Sequence, residues 1–168
     1  MDRFVAVVWA VAVFVLLHPI DAGAQDRAWI AEGTMGYAGF VDDATQNYWV
    51  IGGGVRRYLT PRLSVGPEVV VMGNSNLVRD RLAMATGNVV FDIYPRTARR
   101  LTPFVVGGFG VFFSREQFQN GPFWSNDPAF TAGGGVRARV GEGVFIGAEY
   151  RLGWEPHHRL TASAGFHW

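Results

Sequence analysis

A period of two in hydrophobicity constrains this chain more than any other feature. After residue 25, several stretches alternate apolar residues with small or polar ones, and no stretch keeps a convincing 3.6-residue period of a helix. The alternation is clearest from Leu160 to Trp168, where even positions are apolar. Because successive side chains of a strand point to opposite faces, this pattern predicts an all-β fold.

Eight segments carry the alternation, and turn-like residues separate them. Eight strands of about ten residues, with loops between them, fit the length of one membrane barrel domain. An even number of strands also returns the C-terminus to the side of the N-terminus. The predicted strands are 28–40, 48–59, 63–72, 82–94, 102–115, 129–140, 144–154 and 158–168.

The connections between these strands alternate between two kinds. Three are short and turn-like, and three are longer and rich in Asn, Asp, Gln and Ser. In outer-membrane barrels the short turns face the periplasm and the longer loops face outward. The final connection, near Pro156, is short for the outward side. The short connections are 60–62, 95–101 and 141–143, and the long ones are 41–47, 73–81 and 117–127.

The first 24 residues have the pattern of a secretory signal peptide. Arg3 precedes an apolar run from Phe4 to Leu17, and a small-residue site at 22–24 follows it. The alternative is a transmembrane anchor, but the run is shorter than the ~20 residues that a spanning helix needs. We therefore predict a signal peptide at 1–24 and a barrel domain at 25–168.

The distribution of charge decides between two kinds of barrel. A soluble, lipocalin-like barrel would point its charges at water, where nothing requires them to balance. A membrane barrel of eight strands has an interior only wide enough for side chains, so charges there need opposite partners and small neighbours. Four acids, four arginines and several glycines share one face, which favours an eight-stranded antiparallel up-and-down transmembrane β-barrel. The predicted lumen network is Glu32, Arg56, Glu68, Asp92, Arg137, Arg139, Glu149 and Arg151.

Aromatic residues gather near both ends of the predicted strands. Such rings are expected where a barrel meets the lipid headgroups. The alternative is that aromatic residues simply favour strands. The rings expected toward the long loops are Tyr37, Trp49, Phe113, Phe130 and Trp154, and those toward the short turns are Trp29, Phe91 and Trp168.

An internal repeat relates residues 51–69 to residues 132–150. Both copies contain Gly-Gly-Gly-Val-Arg followed, 12 residues after the Arg, by a Glu. If each copy is a hairpin, Arg56 faces Glu68, and the second Arg faces Glu149, across the ladder. Chance similarity of Gly-rich strands is the alternative. Pro67 lies within a predicted strand and lacks a ladder donor, so we expect a β-bulge there.

These residues resemble the small outer-membrane β-barrels of the OmpA/OmpX/opacity-protein type. The resemblance covers residues 25–168 and rests on the two hairpins, GGGVRRYLTPRLSVGPEV and GGGVRARVGEGVFIGAEYRLGW, with PFVVGGFGV and the terminal LTASAGFHW. It implies a monomer in the outer membrane of a Gram-negative cell, in contact with lipid and lipopolysaccharide. It also implies that the barrel-assembly machinery reads Phe166 and Trp168, with Trp in place of the usual terminal Phe.

The composition excludes several functions. The chain has no Cys, so it has no disulfide scaffold, Cys-based zinc site, thiol nucleophile or lipid-anchored Cys. A formal net charge of +1 gives no case for nucleic acid. No cofactor motif is present. We expect His157 and His158 in an exposed, strand-like turn beside Pro156, where adjacent side chains point to opposite sides, so we predict no metal site.

Three roles remain open from the sequence. The main one is a structural or surface-interaction role, with the paired charges plugging the lumen. Aromatic residues in the third long loop (Phe118, Phe123 and Trp124) would contact a surface ligand or lipopolysaccharide, or else pack over the barrel mouth. A narrow channel is the second role. An outer-leaflet lipid-modifying enzyme using Ser163 or His158 is the third, although no catalytic motif supports it.

Overall fold

The computed structural model describes residues 29–40, 47–73, 81–95, 99–118, 121–153 and 157–168, and the predicted signal peptide lies outside these ranges. Within them eight antiparallel strands close into one barrel, with β8 pairing to β1. No helix in these ranges is long and apolar enough to cross a membrane. The strands are β1 (Trp29–Phe40), β2 (Asn47–Tyr58), β3 (Leu63–Gly73), β4 (Arg81–Asp92), β5 (Leu101–Phe118), β6 (Gly121–Arg139), β7 (Val144–Gly153) and β8 (His157–His167).

The predicted fold class is confirmed, and six of the eight strands lie within two residues of their predicted bounds. The exceptions are β5 and β6. Residues 117–127 were predicted to form a long loop, but the ladder continues as far as Phe118 opposite Gly121. The prediction was wrong because polar residues and prolines normally indicate a loop. A two-stranded ribbon tolerates Pro on its unpaired edge.

The β5–β6 hairpin projects beyond the barrel. β5 continues for three residues past Arg115, its last pair with β4, and β6 begins ten residues before Thr131, its first pair with β7. We call residues 116–118 and 121–130 the β5–β6 extension. We call the barrel end that carries this extension the hairpin end. The opposite end, where Trp29 and Trp168 lie, is the termini end.

Main-chain hydrogen bonds between Trp29 and Trp168 close the barrel at the termini end. Each residue donates its N–H to the carbonyl oxygen of the other, at 3.1 Å in both directions. Their rings stack outside the barrel with centroids 6.4 Å apart. The unpaired edges that a sheet would expose are thereby removed.

The outer surface of the barrel is apolar. Exposed side chains include Tyr37 and Phe109, each 69% accessible, and Ile51, 58% accessible. In β5, whose two faces are both apolar in sequence, Phe109 points outward and Gly108 points inward against Asn88 and Thr131. The exterior therefore has the polarity of a surface that meets lipid.

Pro67 produces no bulge, contrary to our expectation. Gly54 pairs with Glu68 and Arg57 pairs with Val65, so the register of β2 and β3 is the same on both sides of the interruption. On its other side, Pro67 still pairs with Gly87. The missing N–H interrupts one ladder locally without inserting a residue.

The repeat gives two hairpins with the same register, but not the register we predicted. Glu68 lies opposite Gly54, and Glu149 lies opposite Gly135. The turn centres are one residue earlier than assumed, which moves each Glu two positions along the same face from its predicted Arg. Because Arg137 lies opposite Gly147, each large charged side chain sits across from a glycine.

The glycines opposite the charges allow a close approach of neighbouring strands. A Cβ at Gly66 would overlap the carbonyl oxygen of Val55 and the Cα of Arg56. We expect Gly66→Ala to lower the free energy of unfolding by about 1–3 kcal/mol, because the backbone must move to admit the methyl group. Urea unfolding of the refolded barrel in lipid vesicles measures this change.

Gly33→Ala is the matched control. A Cβ at Gly33 meets nothing within 4 Å on the exposed outer face. We expect its unfolding free energy to stay within about 0.5 kcal/mol of the parent. Equal losses in the two variants would show that strand propensity, rather than close approach, requires glycine at position 66.

Candidate functional site: the charged barrel interior

Four charged side chains form a central cluster inside the barrel. Glu68 on β3 accepts hydrogen bonds from Arg151 at 2.8 Å and from Arg159 at 2.9 Å. Asn88 on β4 donates a third to the same carboxylate, at 2.7 Å. Glu68 is 5% exposed, so its charge is stabilised by these donors rather than by water.

Glu149 completes the central cluster. It receives two hydrogen bonds from Arg151, one from Nε at 2.5 Å and one from Nη2 at 3.0 Å. Arg159 Nη2 lies 3.4 Å from its Oε1. The cluster defined by Glu68, Glu149, Arg151 and Arg159 thus holds two acids and two arginines and is neutral.

Two further ion pairs lie in the barrel interior. Arg56 Nη2 donates to Glu32 at 2.8 Å, across the β1–β2 pair. Arg137 Nη1 donates to Asp92 at 2.9 Å, and the Tyr58 hydroxyl donates to the other oxygen of Asp92 at 2.5 Å. The described interior therefore pairs four carboxylates with four guanidinium groups.

We predicted that Arg56 and Arg137 pair with the glutamates of their own hairpins, and this prediction was wrong. Their partners, Glu32 and Asp92, come from β1 and β4. The two-residue shift in register moves Glu68 and Glu149 toward the hairpin end, where β7 and β8 supply their partners. Seven of the eight predicted lumen residues lie in these clusters.

Arg139 is the predicted residue that does not join the buried network. It ends β6 and is exposed at the termini end, because the inward-facing row of β6 leaves the lumen there. The fourth arginine of the buried network is instead Arg159, which sequence reasoning missed and which is 1% exposed. The parity of β8 identifies it, since Arg159 lies two residues before the inward-facing Thr161.

The hairpin end of the interior is apolar, which the sequence did not lead us to expect. Val70 and Met72 follow Glu68 on the inward face of β3 and are both 0% exposed. Apolar side chains from six strands thus fill the interior between the central cluster and the hairpin end. The buried apolar layer consists of Ala38, Tyr48, Val50, Val70, Met72, Leu82, Met84, Phe112 and Ala129.

The candidate residues for metal or lipid chemistry do not converge. His157 and His158 were expected in an exposed turn, but they begin β8, and His157 is buried beside Phe40 and Phe112 while His158 faces outward. Ser163 shares the inward face of His157, so it lies on the opposite face from His158. No group of three potential metal ligands occurs among the described residues.

The remaining sequence candidates lie at the two ends of the barrel. Phe166 and Trp168 are exposed on the outer face of the termini end, with ring centroids 5.1 Å apart. Phe118 ends β5, and Phe123 and Trp124 lie in β6. These three were predicted to be loop residues and are instead part of the β5–β6 extension.

The closed fold, the apolar exterior and the paired interior define a fold class: the small eight-stranded transmembrane β-barrel. The N-terminal barrel domain of Pseudomonas aeruginosa OprF matches with a TM-score of 0.69 and 12% identity, covering 86% of this chain and 100% of that one. Neisserial surface protein A matches with a TM-score of 0.69 and 11% identity, covering 83% and 96%.

A third solved structure is Ail, the attachment invasion locus protein of Yersinia pestis. It matches with a TM-score of 0.52 and 12% identity, covering 84% of this chain and 97% of that one. No family model and no curated protein matches the chain. At these identities the likeness to the three structures shows the fold, which is the fold that the sequence resemblance implied.

Glu68 gives the sharpest test of the interior network. Glu68→Gln keeps the shape of the side chain but removes the charge that Arg151 and Arg159 share. We expect the free energy of unfolding to fall by about 3–5 kcal/mol, because buried guanidinium charge is left uncompensated. Urea titration of the barrel in lipid vesicles, followed by tryptophan fluorescence, measures the difference.

Glu142→Gln makes the same change in the exposed β6–β7 turn. We expect it to alter the unfolding free energy by no more than about 0.5 kcal/mol. A Glu68→Gln barrel as stable as the Glu142→Gln barrel would mean that the central cluster contributes no net stability.

Proposed function

We propose that this protein is an integral outer-membrane barrel with a structural or surface-interaction role, whose interior is a plug. The observation that carries the proposal is the combination of an apolar exterior with an interior of paired charges beneath an apolar layer. An exterior of this kind is stable in lipid, and the buried ion pairs of the interior balance one another's charge.

The surroundings in the cell follow from the same proposal. The apolar run before residue 25 exports the chain, and Phe166 and Trp168 present aromatic residues to the barrel-assembly machinery. The folded barrel is a monomer in contact with outer-membrane lipid and lipopolysaccharide. The short turns at 59–62 and 140–143 then face the periplasm, and the β5–β6 extension faces outward.

The surface role is assigned to the β5–β6 extension. Its strands project past β4 and β7, and Phe118, Phe123 and Trp124 lie along it. Aromatic residues on a projecting element favour contact with lipopolysaccharide or another partner. Two proteins of this fold carry names that refer to the cell surface or to attachment, Neisserial surface protein A and Ail.

A plug is favoured over the channel that the sequence left open. Conduction needs a continuous water path, or at least a constriction that wets. Met72 and Val70 are fully buried above the central cluster, and the cluster itself is neutral. Breaking one ion pair therefore leaves the apolar layer in place.

An epitope-accessibility experiment tests the location and orientation. An epitope tag inserted between Gln119 and Asn120 should be labelled by antibody on intact cells. The same tag between Gly141 and Glu142 should be labelled only after the outer membrane is permeabilised. The difference is expected because the two connections leave opposite ends of the barrel.

The reverse labelling would contradict the orientation, and labelling of neither site on permeabilised cells carrying folded protein would contradict surface location. The interaction itself is tested with Trp124→Ser, which should reduce binding to lipopolysaccharide vesicles. Gln119→Ser is the control in the same hairpin, because it removes no aromatic ring. Unchanged binding by Trp124→Ser would count against this role for the extension.

Planar-bilayer recording distinguishes the plug from the channel. We expect refolded 25–168 to insert without discrete current steps, because the apolar layer blocks water. A heat-dependent gel shift beforehand establishes that the barrel is folded. Current steps that change with Glu149→Ala would instead show that the charged interior lines a conducting path.

A further inference from the structure

A cavity opens at the termini end, beside the Arg137–Asp92 pair and apart from the central cluster. Its volume is about 30 Å³, and it is open to solvent at its mouth. Its walls come from the ends of strands and from the β4–β5 connection. The lining residues are Tyr58, Asp92, Arg99, Arg100, Thr102, Arg137, Arg139, Phe145 and His167. We call it the mouth cavity.

The charge of the mouth cavity is strongly positive. Among the lining residues that the structure describes, four guanidinium groups stand against one carboxylate, Asp92. That carboxylate already accepts hydrogen bonds from Arg137 and from the Tyr58 hydroxyl. In this described part of the lining, arginines outnumber acids, whereas the central cluster deeper in the barrel holds equal numbers of both.

Two contacts fix the positions of the arginines at the mouth. The Arg139 N–H donates to the carbonyl oxygen of Arg100 at 2.8 Å, which ties the end of β6 to the β4–β5 connection. The Arg99 guanidinium lies over the Tyr94 ring, 4.2 Å from its centroid. These contacts keep Arg99 and Arg100 beside the mouth, although both side chains are exposed.

Arg137 supplies a buried donor to the same cavity. It is 7% exposed, and its guanidinium lies over the Phe104 ring, 3.9 Å from the centroid. Its Nη1 donates to Asp92, but its Nε has no hydrogen-bond partner among the described residues. Arg137 therefore contributes to the lining a buried guanidinium group whose hydrogen-bonding capacity is not fully used.

We propose that the mouth cavity binds a phosphate monoester. Such a group carries about −1.5 to −2 charge at pH 7 and three acceptor oxygens, which match several convergent guanidinium groups better than a carboxylate does. The phosphate would lie between Arg99, Arg100 and Arg139, at the mouth above the Arg137–Asp92 pair. The proposal depends on the proposed function only for the compartment, which is the periplasmic side of the membrane.

The experiment uses folded 25–168 in phosphatidylcholine nanodiscs and inorganic phosphate as the probe. Backbone NMR shifts are followed during titration at constant ionic strength with chloride. We expect saturable shifts at residues 99–102 and 137–139. Arg99→Ala with Arg100→Ala should weaken binding about tenfold or more, since each lost guanidinium removes a charge-assisted hydrogen bond.

Arg57→Ala with Arg62→Ala is the matched control. This double variant also removes two positive charges, so the net charge changes equally. Both residues are exposed at the same end of the barrel, but neither lines the mouth cavity. We expect phosphate affinity within about twofold of the parent. Equal losses in the two double variants, or acetate binding as tightly as phosphate, would overturn the proposal in favour of a general positive field.

Phosphatidic acid distinguishes the two sources of a phosphate monoester. If a lipid headgroup occupies the cavity, nanodiscs containing phosphatidic acid should show the shifts at 99–102 without added phosphate. If only a soluble phosphate ester enters, these nanodiscs should titrate like those of phosphatidylcholine alone. Absence of saturable shifts with either source, on a barrel with an intact gel shift, would overturn the site and leave the proposed function standing.

Discussion

The interior width of an eight-stranded barrel is the constraint on which the rest of this structure depends. Such an interior holds side chains and little else, so every inward position must be filled, and every buried charge must find a partner there. Glu68 satisfies this requirement with donors from β4, β7 and β8. The same narrowness explains why Gly66 and Gly147 stand opposite arginines.

The interior is divided along the barrel axis by polarity. An apolar layer fills the hairpin end, a neutral ion cluster lies beneath it, and an excess of arginine lines the mouth at the termini end. The central charges are held by one another and are unavailable to a ligand. In the described lining of the mouth cavity arginines outnumber carboxylates, and we therefore propose that end of the lumen as the place for an anion.

Much of the fold could be predicted from the sequence because strand parity is a local property. Charged residues at inward positions of β3, β4, β6 and β7 share one parity with small neighbours, and apolar residues at the alternate positions face out. Turn placement was less secure. An error of one residue in the centre of a turn shifts a facing pair by two positions, so Arg56 was assigned to Glu68 rather than Glu32.

The sequence by itself determined an all-β chain, eight strands, the inward parity of the charges and the apolar exterior, because each depends on neighbours along the chain. Only the tertiary structure decided which charges pair, because Glu68 meets Arg159 through barrel closure across 91 residues of sequence. Closure also decided that Arg139 lies at the mouth, and pairing between β5 and β6 alone turned a predicted loop into a ribbon. Ion pairs and ladders across distant strands depend on register, and register is fixed only when all eight strands meet.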